Sequence, residues 1–286
     1  MRASSNPAFS SLTQTVERGE DRQRGGYPQG GYSQTMQQGM AYGAMDDVQA
    51  PSGHDQRPMT VDDVVSKTGI TLAVIVATAA INYAIATVGG NPSLAMMLAM
   101  VGAIGGLITV LVYSFGKKFD SKAVTLTYAA LEGLFVGGIS FMFADMMVGG
   151  ENAGVIIGQA VLATIGVFAG MLWVYKSGAI RVTPKFTRFM TAALIGVLVL
   201  AVGNLLLALF TGNSPLRDGG PLAIIFSLVC IGLAAFSFLL DFDQADRLVR
   251  AGAPANYAWG IALGLAVTLV WLYIEILRLL AYFNRD

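Results

Sequence analysis

Seven stretches of twenty or more predominantly apolar residues follow one another from Gly69 onward, at about 69–88, 94–115, 124–148, 153–175, 187–211, 221–241 and 257–283. A helix of that length covers the ~30 Å hydrocarbon core of a bilayer. Backbone groups in lipid need partners within their own segment, and the alternating pattern of a membrane barrel is absent, so only helices fit. Composition agrees: 55% of the residues are hydrophobic, 13% are charged and the mean hydropathy is +0.61, which leaves too little polar surface to cover a soluble domain of 286 residues. The expected fold class is therefore an all-α integral membrane protein. Its parts are a seven-helix transmembrane domain at 66–286 and a disordered tail at 1–65.

The tail differs in kind from the seven apolar runs. Arg24 to Gly43 reads RGGYPQGGYSQTMQQGMAYG, rich in Gly, Gln and Tyr and without apolar periodicity. Such a segment buries too little surface to offset its ordering entropy. The first hydrophobic stretch begins only near Gly69, so no cleavable signal peptide is expected.

Basic residues set the expected orientation. With the tail inside, fifteen Lys and Arg fall on the inner side and three on the other, namely Arg217, Arg278 and Arg285. By the positive-inside rule the N-terminus is expected in the cytoplasm and the C-terminus outside. Net charge is zero and says nothing of a nucleic-acid partner.

Residue counts exclude several chemistries. There is one cysteine, Cys230, in an apolar run and one histidine, His54, in the tail, so neither an internal disulfide nor a Cys/His zinc site can form. A rhomboid-type or zinc protease needs a histidine in the bundle, and a retinal protein needs a lysine in its seventh helix. Two facing aspartates, as in an intramembrane aspartyl protease, have candidates in Asp145 and Asp241, but these are expected near opposite interfaces and no GxGD motif is present. No enzyme activity and no cofactor are expected.

What remains are acids inside apolar runs, where a charge costs ~2.5–3.5 kcal/mol even on the lenient insertion scale. Glu132, Asp145, Asp241 and Glu275 qualify. Glu132 falls mid-helix and makes a polar stripe with Thr125 and Tyr128. Glu275 lies in the outer half of the seventh helix, one turn before Arg278, on a side shared with Gly264, Thr268 and Tyr282. Asp145 is expected near the outer interface.

The stretch FLLDFDQAD, 238–246, ends the sixth run with three carboxylates. Residues two apart on a helix point ~200° apart, so Asp241 and Asp243 cannot both face the bundle interior. Asp241 shares its side with Ser237, Ala234 and Cys230, all small, which marks a helix-packing or polar face. Asp241 is thus the expected inward acid and Asp243 its solvent-facing companion. The structural alternatives are plain: an interfacial cap for Asp241, Asp243 and Asp246, an i,i+3 ion pair for Glu275 and Arg278, and a protonated, hydrogen-bonded Glu132. The spacings Gly102–Gly106, Gly133–Gly137 and Gly166–Gly170 permit close helix packing and carry no function by themselves.

Four ordered blocks resemble one family: LEGLFVGGIS at 131–140, QAVLATIGVFAGMLWVYKSGAIRVTPKF at 159–186, LLDFDQAD at 239–246 and VTLVWLYIEILRLL at 267–280. Together they look like the Bax inhibitor-1/YccA-like family, in the branch of actinobacterial type whose members begin much as MRASSNPAFSSL does. The resemblance implies a seven-helix bundle with the seventh helix enclosed by the other six. It also implies a pH-sensitive calcium leak gated by a proton-sharing pair of acids on the sixth and seventh helices. Asp241 matches the sixth-helix acid and Glu132 the acid of the third-helix block. The family's seventh-helix acid falls near Leu265 to Val267, which are apolar, while Glu275 lies two turns deeper, so an Asp241–Glu275 contact would need tilt or a broken helix.

The functional expectation is a pH-sensitive cation leak or transporter, for Ca²⁺ or H⁺, using a ladder of intramembrane acids. Asp241 and Asp243 stand at the cytoplasmic mouth, Glu132 in the middle and Glu275 toward the outside, with Ca²⁺ expected at Asp241, Asp243 and Glu132 and Arg278 as an ion-pair partner for Glu275. Carboxylate oxygens suit hard cations, and protonation removes the attraction. The alternative is a membrane-anchored interaction or stress-regulatory scaffold whose Tyr/Gln/Gly tail recruits cytoplasmic proteins. The expected partners are the lipid bilayer and, through the tail, cytoplasmic proteins; no nucleic acid is expected, and a monomer can work.

Overall fold

The computed structural model describes residues 57–116, 119–148 and 152–284. Seven long helices form: α1 (Val61–Thr87), α2 (Pro92–Phe115), α3 (Lys122–Phe141), α4 (Asn152–Ser177), α5 (Pro184–Thr211), α6 (Pro221–Arg250) and α7 (Ala258–Phe283). Each is long and apolar enough to cross a membrane. Among the described residues no strand forms, and the one β contact is an isolated bridge between Pro58 and Pro254.

Local chemistry explains where these helices start and stop. Asn91, Ser121 and Thr183 cap α2, α3 and α5 by accepting from backbone N–H groups of the first turn. Pro92, Pro184 and Pro221 occupy first-turn positions where a missing N–H costs nothing. α5 stops at Gly212, whose φ of 74° is left-handed.

Two boundaries differ from the hydropathy reading. α1 begins at Val61, well before the apolar run at Gly69, because Thr60 and Asp63 form a reciprocal capping box and Arg57 binds the same carboxylate at 2.6 Å. The ordered chain thus reaches into the stretch expected as tail, while residues 1–56 lie outside the described residues. α6 runs on to Arg250 through a charged end stitched by i,i+4 pairs, Asp243 with Arg247 at 2.7 Å and Asp246 with Arg250 at 2.9 Å. Hydropathy is blind to turns held by capping and ion pairs.

α7 is the core of the bundle, buried along nearly all its length and packed against α1, α3, α4 and α6. The expectation that six helices enclose it is thus refined to four principal neighbours. α5 is the outermost helix, with only Met190 and Asn204 buried along it, and it packs chiefly on α6.

The glycine spacings divide by what they meet. A Cβ at Gly133 would overlap Thr78 Oγ1 and the Ile75 carbonyl of α1, and one at Gly137 would overlap the Ala79 carbonyl. Gly102 of α2 fits equally tightly against the Leu131 carbonyl. Gly166 and Gly170 have nothing within 4 Å, so the third spacing is not an interface within this chain.

Asn82 fastens this three-helix unit, its Nδ2 donating to Ala95 O of α2 at 3.1 Å and to Leu134 O of α3 at 2.6 Å. Across the bundle, Ser140 Oγ and Tyr273 Oη share a hydrogen bond at 2.8 Å. At one end of the bundle, which also holds the start of α1, residues 57–60 lie on the α6–α7 connection: Met59 N donates to Ala253 O at 2.7 Å and Ala255 N to Arg57 O at 2.9 Å. Lys67 donates to Ala255 O and stands with Lys122 over the Trp259 ring, each 5.6 Å from its centroid.

Candidate functional site

α6 continues as a regular helix through Asp241 and Asp243, so the two carboxylates leave it on different sides as their spacing requires. Asp241 turns to the α6–α7 seam, where Thr268 Oγ1 donates to its Oδ2 at 2.8 Å. The residues on its own side, Cys230, Ala234 and Ser237, are all buried, in agreement with the expected inward face. Asp243 instead joins Arg247, and Asp246 joins Arg250 and accepts from the Tyr175 hydroxyl at 3.4 Å. Of the three acids in FLLDFDQAD, one thus enters the bundle and two stay with cations at its edge.

Glu132 sits ~15 Å along the axis from the start of α3. Its Oε2 lies against Gly106 of α2, where an added Cβ would come within 3.0 Å. Tyr128, one turn earlier, packs near the same glycine. Thr125, the third member of the sequence stripe, serves another purpose and donates to Trp259 O of α7 at 3.1 Å. Neither Asp241 nor Glu132 forms an ion pair among the described residues, whose four salt bridges involve other acids.

Glu275 has a different environment. Arg278 Nη1 donates to its two carboxylate oxygens at 2.8 and 2.7 Å, with both side chains buried. Asp241 contacts α7 at Thr268, which lies ~10 Å along the helix axis from Glu275. The two acids therefore occupy different depths, and each has its own partner. Candidate Ca²⁺ ligands are likewise apart: Asp241 on the α6–α7 seam, Glu132 on the α2–α3 seam, Asp243 on the far side of α6. Among the described residues no three Asp, Glu, His or Cys side chains converge as a metal site.

A cavity of about 330 Å³ opens beside Glu275 and Arg278, walled by Phe135, Phe143, Phe226 and Trp271. Phe143 belongs to a π-helical turn, Met142–Met146, that ends α3, and the Arg278 guanidinium stands over its ring at 5.6 Å. Asp145, in the same turn, has a buried Oδ2 that finds no hydrogen-bond partner among the described residues. Arg217 reaches the cavity from the α5–α6 loop, its backbone carbonyl held by the Tyr282 hydroxyl at 3.2 Å. Desolvation, and then the charge of Arg278, pull the Arg217 pKa down.

Three participants escaped the sequence reading. Thr268 was visible as part of a polar side of α7, but nothing in its spacing named Asp241 as its partner. Arg217 was only one of three basic residues on the sparse side of the charge count. Asn82 carried a clear signal, a lone amide in the run AAINYAIA, and its three-helix role follows from the need of a buried amide for partners.

The chain's likeness to known proteins agrees with this geometry. No curated protein matches it significantly. The profile of a family described as Bax inhibitor 1 like matches residues 6–285, nearly the whole chain. With seven helices long and apolar enough to cross a membrane, α7 at their core, and a match over that extent, the chain belongs to the Bax inhibitor 1-like family.

Proposed function

We propose that this chain is a cation leak, not an enzyme, in which Asp241 at the α6–α7 seam and Glu132 at the α2–α3 seam supply the negative charge that admits the ion. Asp241 carries the reading. Its carboxyl is the hydrogen-bonded joint between the two helices, and it has no ion-pair partner among the described residues. An ionised carboxylate so placed attracts a hard cation such as Ca²⁺, the cargo in this reading. A protonated one keeps the hydrogen bond to Thr268 and loses the attraction, which makes the leak sensitive to pH. Glu275 drops out of the acid ladder because Arg278 occupies both of its oxygens.

In this reading the N-terminus is cytoplasmic, as the charge distribution of the sequence suggests, the membrane is a bacterial plasma membrane, as the resemblance implies, and Asp241 lies toward the cytoplasmic mouth. The test is reconstitution in liposomes loaded with a calcium-sensitive dye, from mildly acidic to mildly alkaline buffers. Influx that depends on pH and is abolished in Asp241→Asn supports the leak. Influx absent throughout, or the same in Asp241→Asn, overturns it.

A second reading is an interaction scaffold acting through the tail. It is favoured by the strap at 57–60, which fixes the tail's point of departure on the α6–α7 connection. In that case the bundle anchors and the tail recruits.

A further inference from the structure

The cavity beside Arg278 is independent of the proposed cation path, and its charge has the opposite sign. Three charged side chains border it, Arg217, Glu275 and Arg278, and they sum to a surplus of one positive charge. Both hydrogen bonds of Arg278 leave from Nη1 toward Glu275. Its buried Nε finds no hydrogen-bond partner among the described residues, and the residue, only 5% exposed, borders the cavity. A guanidinium offers five N–H donors in a rigid fork suited to carboxylate and phosphate, and a buried donor left unmatched is costly.

The rest of the wall is apolar and aromatic, with Phe135, Phe143, Phe226 and Trp271 around the cations. A site for a free hydrophilic anion needs no such wall, whereas an anion carrying an acyl chain does. Val197 and Ala201 of α5, the outermost helix of the bundle, also border the cavity. A volume of about 330 Å³ is at the lower end for ligand pockets.

We propose that this cavity binds an amphiphilic anion, a phosphate or carboxylate group held by Arg278 and Arg217 with its apolar chain along the aromatic wall. The headgroup could come from an anionic phospholipid of the bilayer or from a free fatty acid, and the test separates these two sources.

Trp271 lines the cavity and reports on it. Trp173 is 70% exposed and would be quenched by any bulk lipid, so the probe protein carries Trp173→Phe. In phosphatidylcholine nanodiscs, Trp271 fluorescence is titrated with brominated decanoate, brominated phosphatidylglycerol and brominated phosphatidylcholine, with Trp271→Phe as the blank. Saturable quenching by decanoate alone assigns a fatty acid, by phosphatidylglycerol alone a phospholipid headgroup, and by both a shared anion site; each supports the proposal. Arg217→Gln, on the exposed loop, should weaken the quenching titration about tenfold. The double variant Glu275→Gln/Arg278→Gln, which removes the buried pair without stranding a charge, should abolish saturation. Equal quenching by phosphatidylcholine, no saturable quenching by either anion, or an unchanged titration in Arg217→Gln overturns the proposal.

Discussion

Thr268 Oγ1 donates to Asp241 Oδ2 at 2.8 Å, so a hydroxyl and a carboxyl join α6 to α7 within a seam otherwise packed by apolar side chains such as Phe238 and Leu269. The same O–H has a second acceptor in Gly264 O at 3.3 Å, one turn back on its own helix, and the Asp241 oxygen is the nearer of the two. Asp241→Asn keeps an acceptor oxygen for Thr268 and removes the charge, so the fold should hold while calcium influx into liposomes falls at least about tenfold. The sign of the pH effect is set by the same charge: the attraction exists while the carboxylate is ionised and is lost on protonation. Wild-type influx should fall with acidification, and Asp241→Asn influx should be flat. An Asp241→Asn protein with wild-type flux at every pH removes Asp241 from the path.

Thr268→Val separates architecture from charge. It leaves the carboxylate in place without its donor, which should cost about 1–3 kcal/mol of stability. Equilibrium unfolding in detergent micelles checks this against Thr268→Ser, which retains the hydroxyl. A Thr268→Val protein as stable as Thr268→Ser would show that the hydrogen bond adds nothing to the seam.

The Glu275–Arg278 pair gives an asymmetric mutational signature. Glu275→Gln strands a buried guanidinium and should destabilise by about 3–5 kcal/mol, whereas Glu275→Leu/Arg278→Met removes both charges and should be much milder. Denaturant midpoints of the two variants decide it. Calcium influx through the double variant should match wild type, because a carboxylate already neutralised does not draw a cation; a large loss of flux would return Glu275 to the path.

Much of the architecture was legible because lipid forces simple rules on a chain. Seven apolar runs gave seven helices, and helical periodicity put Asp241 and Asp243 on different sides of α6, the first at Thr268 of α7 and the second at Arg247 of its own helix. The pairing of Glu275 with Arg278 was one of two open readings, and their spacing of three on one helix was what brought them together. What sequence could not reveal were contacts between helices. Thr268 with Asp241 and Arg217 beside Arg278 depend on how α7 is rotated and at what height the α5–α6 loop meets it, and apolar runs in a uniformly apolar solvent leave both unspecified. The start of α1 and the end of α6 were missed for a different reason, since capping boxes and i,i+4 ion pairs extend a helix into sequence that hydropathy scores as polar.

Glycine contacts make a stability test with an internal control. Gly133→Ala forces a methyl into Thr78 Oγ1 and the Ile75 carbonyl and should cost about 1–3 kcal/mol. Gly166→Ala meets open space and should be neutral or slightly stabilising, by up to about 1 kcal/mol, through helix propensity. Thermal unfolding in one detergent ranks them, and equal midpoints would contradict the α1–α3 packing.

Truncation separates the two functional readings and tests the strap as well. Removing residues 1–56 leaves Arg57, Met59 and Thr60, hence the ion pair to Asp63, the bond to Ala253 and the cap of α1. That protein should fold as the full chain does and, as a leak, should carry the same calcium flux. Removing residues 1–60 takes those contacts away and should lower stability by about 1.5–5 kcal/mol, the sum expected for a helix cap and two backbone hydrogen bonds. The loss should appear first as faster hydrogen exchange at the start of α1 and at Ala253–Ala255, where the strap was anchored. A flux that survives both deletions keeps the function in the bundle. Cells that lose the function when residues 1–56 are missing, while liposome flux is unchanged, would shift it to the tail and the proteins it recruits.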